Sequence, residues 1–169
     1  MLVSEKERLS IYKFKLKNLM GEEVLLEKFK GKVLLIVNTA SECGYADQYK
    51  ELEEIYKQYK DRGFEVLAFP SNDFGSQEPL SGVNIENYCH AKYNTTFPIF
   101  NKIKVKGLGA NPLYQFLSEK RLNGSINMYP KWNFHKYLVN KDGQVVDYYF
   151  TVTKPNSLKL KQAIEKLLG

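Results

Sequence analysis

Hydrophobic and polar residues change their spacing several times along this chain, and each change marks an element. From Ile11 to Asn18 apolar and basic side chains alternate, Met20-Gly21 supplies a turn, and Glu23 to Leu26 returns, which predicts an N-terminal β-hairpin. Lys32 to Asn38 (KVLLIVN) is a continuous apolar run rich in branched side chains, the pattern of a strand buried on both faces. Gln48 to Tyr59 then places Leu52, Ile55, Tyr56 and Tyr59 at helical spacing with charges between, and Asp61-Arg62-Gly63 stops the helix. Phe64 to Phe69 is strand-like again. Strand, helix and strand in this order predict a βαβ unit with parallel strands and a right-handed crossover.

Pro70 to Gly82 (PSNDFGSQEPLSG) is dense in turn formers and is expected as a long loop, followed by a helix from Val83 to Lys92. Asn111-Pro112 opens a short helix running through Glu119, with proline at the first helical position. Trp132 to Val139 and Gln144 to Phe150 are expected as two strands joined by a turn at Asn140-Lys141-Asp142-Gly143. Pro155 to Leu168 closes the chain as an amphipathic helix whose apolar members are Leu158, Leu160, Ile164, Leu167 and Leu168. The order predicts an α/β, thioredoxin-like fold: a central mixed sheet flanked by helices, with an added N-terminal hairpin, in one domain over residues 1–169.

Composition narrows the function classes. With 43% hydrophobic residues in 169, the chain can bury a core without disulfide or metal support. Lys and Arg exceed Asp and Glu by 25 to 19, but the lysines are scattered among carboxylates. A nucleic-acid surface would gather them into one stripe, so none is expected; an electropositive face can still steer an acidic protein partner. The longest apolar run, Val33 to Val37, is too short to cross a bilayer, and the opening MLVSEKERL has neither an apolar core nor a cleavage site. The expected location is the cytoplasm, or an organelle if a targeting segment has been removed.

Two cysteines are too few for a secreted disulfide framework and too far apart for a CxxC pair. Cys43 follows directly on the first buried strand, at the carboxyl end where open α/β sheets place their ligand sites. The thiolate is the nucleophilic form of cysteine, and an ordinary thiol is mostly protonated at neutral pH. The nearby helix N-terminus offers one means of stabilising the thiolate, whereas Glu42 works against it.

At these residues a family resemblance becomes specific. The segment VNTASECGYADQYKELEEIYKQYKDRGFEVLAFPSNDFGSQEP resembles the signature region of the glutathione peroxidase family, and KWNFHKYLVNKDGQVV resembles its second signature block. Both stand in the expected order, and the similarity runs from about Ile11 to the C-terminus. By this resemblance the catalytic group is Cys43, Gln77, Trp132 and Asn133, and Cys89 corresponds to the resolving cysteine of thioredoxin-using members. The Gln77 amide, Trp132 indole and Asn133 amide are neutral donors, able to support a thiolate and a leaving oxygen without neutralising the sulfur.

The chain also departs from the family pattern. Many members carry FPCNQF where this chain has FPSNDF, with Ser71 and Asp73, which leaves Cys89 as the only internal thiol able to resolve Cys43. Asn72 is expected to shape the loop under Gln77. The segment between Leu117 and Trp132 is short compared with tetrameric glutathione-using members, implying a monomer with a site open to a protein reductant. The cysteines and the histidines His90 and His135 form no paired zinc-ligand pattern, so no metal and no cofactor is expected. His135 is expected to face outward on its strand, and whether Pro98 or Pro130 follows a cis bond stays open.

The resemblance implies a thiol peroxidase acting on hydrogen peroxide and organic or lipid hydroperoxides, with an antioxidant role in the response to oxidative stress. Cys43 would be oxidised to a sulfenic acid, Cys89 would condense with it to a disulfide, and thioredoxin or a related dithiol protein would reduce that disulfide. Local unwinding around Cys89 is expected during turnover, because bridging requires Cα atoms within about 7 Å. Two alternatives remain: direct use of glutathione, and a peroxide-sensing redox relay with little need for rapid turnover.

Overall fold

A computed structural model describes residues 3–169; the opening Met1 and Leu2, part of the segment read for targeting signals, lie outside the described residues. A short helix α1 (Glu5–Arg8) begins at a capping box in which Ser4 and Glu7 satisfy each other's backbone N–H groups. The expected hairpin is present but shorter than its alternation implied: β1 (Lys15–Lys17) pairs antiparallel with β2 (Glu23–Leu25), while Ile11–Lys13 forms a 3-10 turn capped by Ser10. That turn sinks Ile11 fully into the core, which a continuing flat strand would not require.

The main sheet contains β3 (Val33–Thr39), β4 (Phe64–Pro70), β5 (Lys136–Val139) and β6 (Val145–Tyr149), in the spatial order β4-β3-β5-β6. β3 and β4 run parallel in register from Val33 opposite Phe64 to Thr39 opposite Pro70, with α2 (Gln48–Tyr59) as their crossover. β5 pairs antiparallel with both β3 and β6, so the sheet is mixed. Gly63 ends the turn after α2 at φ +92°, a left-handed conformation that suits glycine. The remaining helices are α3 (Val83–Tyr93), α4 (Pro112–Ser118), α5 (Lys120–Asn123) and α6 (Leu158–Leu168).

Strand alternation distributes the core onto two faces. Val33, Leu35 and Val37 pack with Leu52 and Ile55 of α2 and with Leu160 and Ile164 of α6. Leu34 and Ile36 face the other way, against Phe116 and Leu117 of α4 and Leu16 of the hairpin. β3 is thereby buried along its whole length, as its unbroken apolar run requires.

Several boundaries differ from expectation. The last helix starts at Leu158 with Ser157 as its N-cap, so Leu158 lies on its open first turn, 71% exposed, and is not a core member. α5 adds a short turn after α4 that the sequence did not announce. β5 begins at Lys136, so Trp132 and Asn133 lie on a turn ahead of the strand. No peptide bond among the described residues is cis, those before Pro98 and Pro130 included.

His135 is the clearest correction. It is fully buried, stacked on Tyr148 with ring centroids 6.3 Å apart and edged by Tyr137 and Phe150, and neither ring nitrogen has a hydrogen-bond partner. The strand it leads into is covered on both faces, so alternation there has no solvent side. Burial holds the folded imidazole at a pKa of about 4, below its ordinary 6.5, and the positive charge of Lys136 adds to the effect. The unfolded chain therefore takes up this proton first as pH falls. The stability this group contributes is complete above about pH 6.5 and declines toward pH 4, by at most about 1.4 kcal/mol per pH unit. Replacement His135→Phe is expected to flatten that decline: urea midpoints of wild type and variant at pH 7 and pH 5 should diverge, and parallel pH dependences would refute the assignment.

Candidate active site

β3 ends at Thr39 and the chain turns through residues 40–47 before α2, placing Cys43 in the turn at the carboxyl edge of the sheet. Cys43 is buried, with its thiol unpaired. The Tyr45 backbone N–H donates to Cys43 Sγ at 3.4 Å, and the Ala46 N–H donates to the Cys43 carbonyl at 3.0 Å. The amide that reaches the sulfur thus belongs to the turn before α2.

Gln77 arrives from the loop after β4. The backbone N–H of Glu42, beside Cys43, donates to the Gln77 carbonyl at 2.9 Å, tying the two loops together. Asn133 Nδ2 donates to Gln77 Oε1 at 3.0 Å and to the Phe74 carbonyl at 3.2 Å. With Gln77 Oε1 so occupied, its NH2 end is the one left free to donate elsewhere. Asn133 Oδ1 is buried without a partner, an unsatisfied acceptor of the kind that clusters at functional sites. Trp132 is 37% exposed, its ring 5.7 Å from that of Phe74. Gln77, Trp132 and Asn133 are therefore brought together, and Gln77 is linked through one backbone hydrogen bond to the Cys43 loop.

Backbone strain brackets the two amides. Gly75 and Ser76 before Gln77 have φ of +68° and +52°, and Phe134 after Asn133 has φ +63°. Left-handed geometry is costly for serine and more so for a bulky residue such as phenylalanine, so both loops are held in shapes their local sequence does not prefer. Gly75 is also required by space: a Cβ there would stand 3.1 Å from Trp132 Cη2 and 3.4 Å from Gln77 Cγ.

Cys89 is placed differently. It lies on α3 with no solvent exposure, and burial pushes its thiol pKa up to about 12, with the carboxylate of Glu78 adding to the shift and the neighbouring Tyr49 hydroxyl opposing it. Both cysteines contribute to the same core layer, but from separate elements. α3 is lightly held: only Ile85 and Cys89 are buried, and its N-cap, Gly82, provides no side-chain cap.

Three residues at the site carried no sequence signal. Asn38, buried in β3, donates from Nδ2 to the Trp132 carbonyl at 3.0 Å and accepts from the Phe134 N–H at 2.6 Å through its own carbonyl. Ser41 Oγ donates to Glu78 Oε2 at 2.5 Å, and the Tyr88 hydroxyl, next to Cys89, donates to the Ser41 carbonyl at 3.1 Å. Glu78 is fully buried and its carboxyl pKa is raised by burial. An acidic residue in a turn-rich loop reads as solvated, so its local sequence does not reveal its burial. Asn72 does shape this loop: its Oδ1 accepts from the Glu78 N–H at 2.9 Å. Asp73 anchors it elsewhere, with Oδ2 accepting from the Val105 and Lys106 N–H groups.

With this geometry in place, comparison with known proteins is decisive. The sequence profile of the glutathione peroxidase family matches residues 11–118, more than half of the chain. The chain belongs to the glutathione peroxidase family. It is 46% identical over 160 residues to "Glutathione peroxidase-like peroxiredoxin 2" of Saccharomyces cerevisiae, covering 95% of this chain and 98% of that protein. It is 45% identical over 166 residues to "Hydroperoxy fatty acid reductase gpx1" of Synechocystis, covering 94% and 96%. Among solved structures, apo Trgpx superposes with a TM-score of 0.74 at 37% identity, covering 94% of this chain and 95% of that one. A thioredoxin family protein of Chlorobium tepidum, at 15% identity and a TM-score of 0.65 over 92% of this chain and 93% of that one, shares the fold. The fold is thioredoxin-like, as the order of elements implied.

In this glutathione peroxidase family member, Gly75→Ala is expected to displace the Trp132 ring and Gln77. The left-handed φ and the contact together should lower stability by about 1 kcal/mol. The emission of Trp132, the single tryptophan of the chain, should shift as well. An unchanged emission spectrum would show that the ring does not rest on Gly75.

Proposed function

We propose that this chain is a thiol peroxidase reducing hydrogen peroxide and organic or lipid hydroperoxides through a disulfide cycle between Cys43 and Cys89, recycled by thioredoxin or a related dithiol protein. The peroxidase activity follows from the family. The Synechocystis relative's name, a hydroperoxy fatty acid reductase, favours lipid-derived hydroperoxides among its substrates. The observation that carries the assignment of residues is the hydrogen-bonded amide pair Gln77 and Asn133, joined to the Cys43 loop through the Gln77 carbonyl.

In the first step the Cys43 thiolate attacks one peroxide oxygen: an S–O bond forms, the O–O bond breaks, and the leaving oxygen takes a proton and departs as alcohol or water. The Gln77 NH2 and the Trp132 indole N–H are the neutral donors available to that developing negative charge, and Asn133, whose two N–H groups hold Gln77 Oε1 and the Phe74 carbonyl, sets the orientation of Gln77. In the second step the Cys89 sulfur attacks Cys43 sulfenic acid, the S–S bond forms and water leaves. The dithiol partner then reduces the disulfide by exchange through a mixed disulfide. Because Cys89 is buried with a raised pKa, the second step requires α3 to open, and the few buried contacts and uncapped start of that helix favour local unfolding.

The chain acts as one domain and as a monomer in this proposal. No helix among the described residues is long and apolar enough to cross a membrane. The test is peroxide consumption by wild type, Cys43→Ser and Cys89→Ser, each supplied with thioredoxin plus its reductase and, separately, with glutathione. Cys43→Ser should be inactive with both, and Cys89→Ser should fail with thioredoxin. Full turnover of Cys89→Ser with glutathione would assign the glutathione-dependent route, and oxidation of wild type without recycling would indicate a redox relay.

A further inference from the structure

Lys136 occupies the first position of β5 with no solvent exposure, and none of the ion pairs among the described residues involves it. Its ε-amino group instead donates to the Phe134 carbonyl at 2.6 Å and to the Thr151 carbonyl at 3.4 Å. Burial lowers its pKa to about 7, against the pull of Glu51 on α2. A buried amine is unfavourable unless its hydrogen bonds are needed, and packing alone would be served by an apolar side chain.

The carbonyls it meets explain the need. Phe134 stands at φ +63°, with its N–H held by Asn38; this conformation takes its carbonyl out of the regular ladder, where it would otherwise be a buried orphan. Thr151 follows β6, and its carbonyl also accepts from Gln48 Nε2 at 2.7 Å, from the first residue of α2. Thr151 Oγ1 donates to the Asn133 carbonyl at 2.6 Å. Lys136 thus joins the strained turn bearing Trp132 and Asn133 to the segment after β6, and through Thr151 to the helix that follows Cys43.

We propose that Lys136 is a positioning residue for the peroxidatic step, its buried amino group holding the Trp132-Asn133-Phe134 turn so that Trp132 and Asn133 keep their places beside Gln77 and the Cys43 loop. The inference rests on the peroxidase function proposed above. Lys136 does not touch substrate or sulfur; it acts through the turn. Either protonation state of the amine can donate to these carbonyls, so the clamp persists through neutral pH.

The experiment uses the full chain in a Cys89→Ser background, where Cys43 is the sole thiol. Rates of Cys43 loss to hydrogen peroxide and to iodoacetamide are compared for the parent, Lys136→Met, Asn133→Ala and the double variant. Alkylation needs a reactive sulfur but no stabilisation of a leaving oxygen by Trp132 and the Asn133-oriented Gln77. Lys136→Met should slow the peroxide reaction by about 10-fold or more while leaving alkylation within about 3-fold. Added to Asn133→Ala, it should cost less than about 2-fold more, because both changes remove the same placement. Equal slowing of both reactions, fully additive losses, or an unchanged peroxide rate would each overturn the proposal. If circular dichroism shows Lys136→Met unfolded, Lys136→Gln, a neutral donor of shorter reach, takes its place under the same criteria. A parent no faster with peroxide than free cysteine removes the peroxidase function and this proposal with it, whereas a fast parent with an equally fast Lys136 variant removes the proposal alone.

Discussion

Asn38 sits where the ladder of β3 gives way to the loop of Cys43, and it is bonded to the opposite wall of the site by both its side chain and its backbone. Its Nδ2 holds the Trp132 carbonyl and its own carbonyl holds the Phe134 N–H, so the turn between them, with Asn133 at its centre, is fixed to the end of the central strand. β3 is buried on both faces and paired on both edges, which makes it the most constrained segment of the sheet. The site inherits that rigidity. An amide pair tied to the loop of Cys43 can serve the proposed chemistry only if its position is set before the substrate arrives, and here the strand end sets it.

The same constraint explains why strain is tolerated. Left-handed Ser76 and Phe134 flank Gln77 and Asn133, and each is over-determined by contacts from elsewhere: the Gln77 carbonyl bonded to Glu42, the Phe134 amide and carbonyl bonded to Asn38 and Lys136. Buried polar groups form a continuous support around the loops, from Ser41 and Glu78 on one side to Thr151 and Gln48 on the other. Such networks hold shape when their members are paired, and the unpaired Asn133 Oδ1 within them marks where the pairing is left incomplete.

The two sulfurs occupy opposite ends of this scale of rigidity. Cys43 lies on a turn pinned by its neighbours, with a backbone amide directed at the sulfur. Cys89 lies on the weakly anchored α3, protonated and inaccessible while the helix is intact. The bond from the Tyr88 hydroxyl to the Ser41 carbonyl connects that helix to the loop of Cys43, so opening the one must release a contact to the other. A pinned loop for Cys43 and a loosely held helix for Cys89 suit the proposed chemistry in two steps, the first needing preorganisation and the second needing motion.

Apolar periodicity and turn chemistry were sufficient to determine β3, α2 and β4 nearly to the residue, because a doubly buried strand and an amphipathic helix each leave an unmistakable local pattern. They were sufficient for the order of elements, and hence the thioredoxin-like class; the two segments that resemble the family signatures pointed to Cys43, Gln77, Trp132 and Asn133, and the helix after the long loop pointed to Cys89 as the second cysteine. Local pattern misplaced His135, since alternation indicates which residues share a face but not whether another layer covers it. It also extended the strand of Trp132 too far, because the bonds that fold residues 132–135 into a turn come from Asn38, distant in sequence. Burial of Glu78 and Lys136 was illegible for the same reason: a charged side chain announces its preference for water, and only the packing of distant segments around it shows that the preference has been overruled. The sequence by itself determined which elements form, and it nominated the residues proposed for the chemistry; the tertiary structure decided how strained loops and buried polar groups hold them in place.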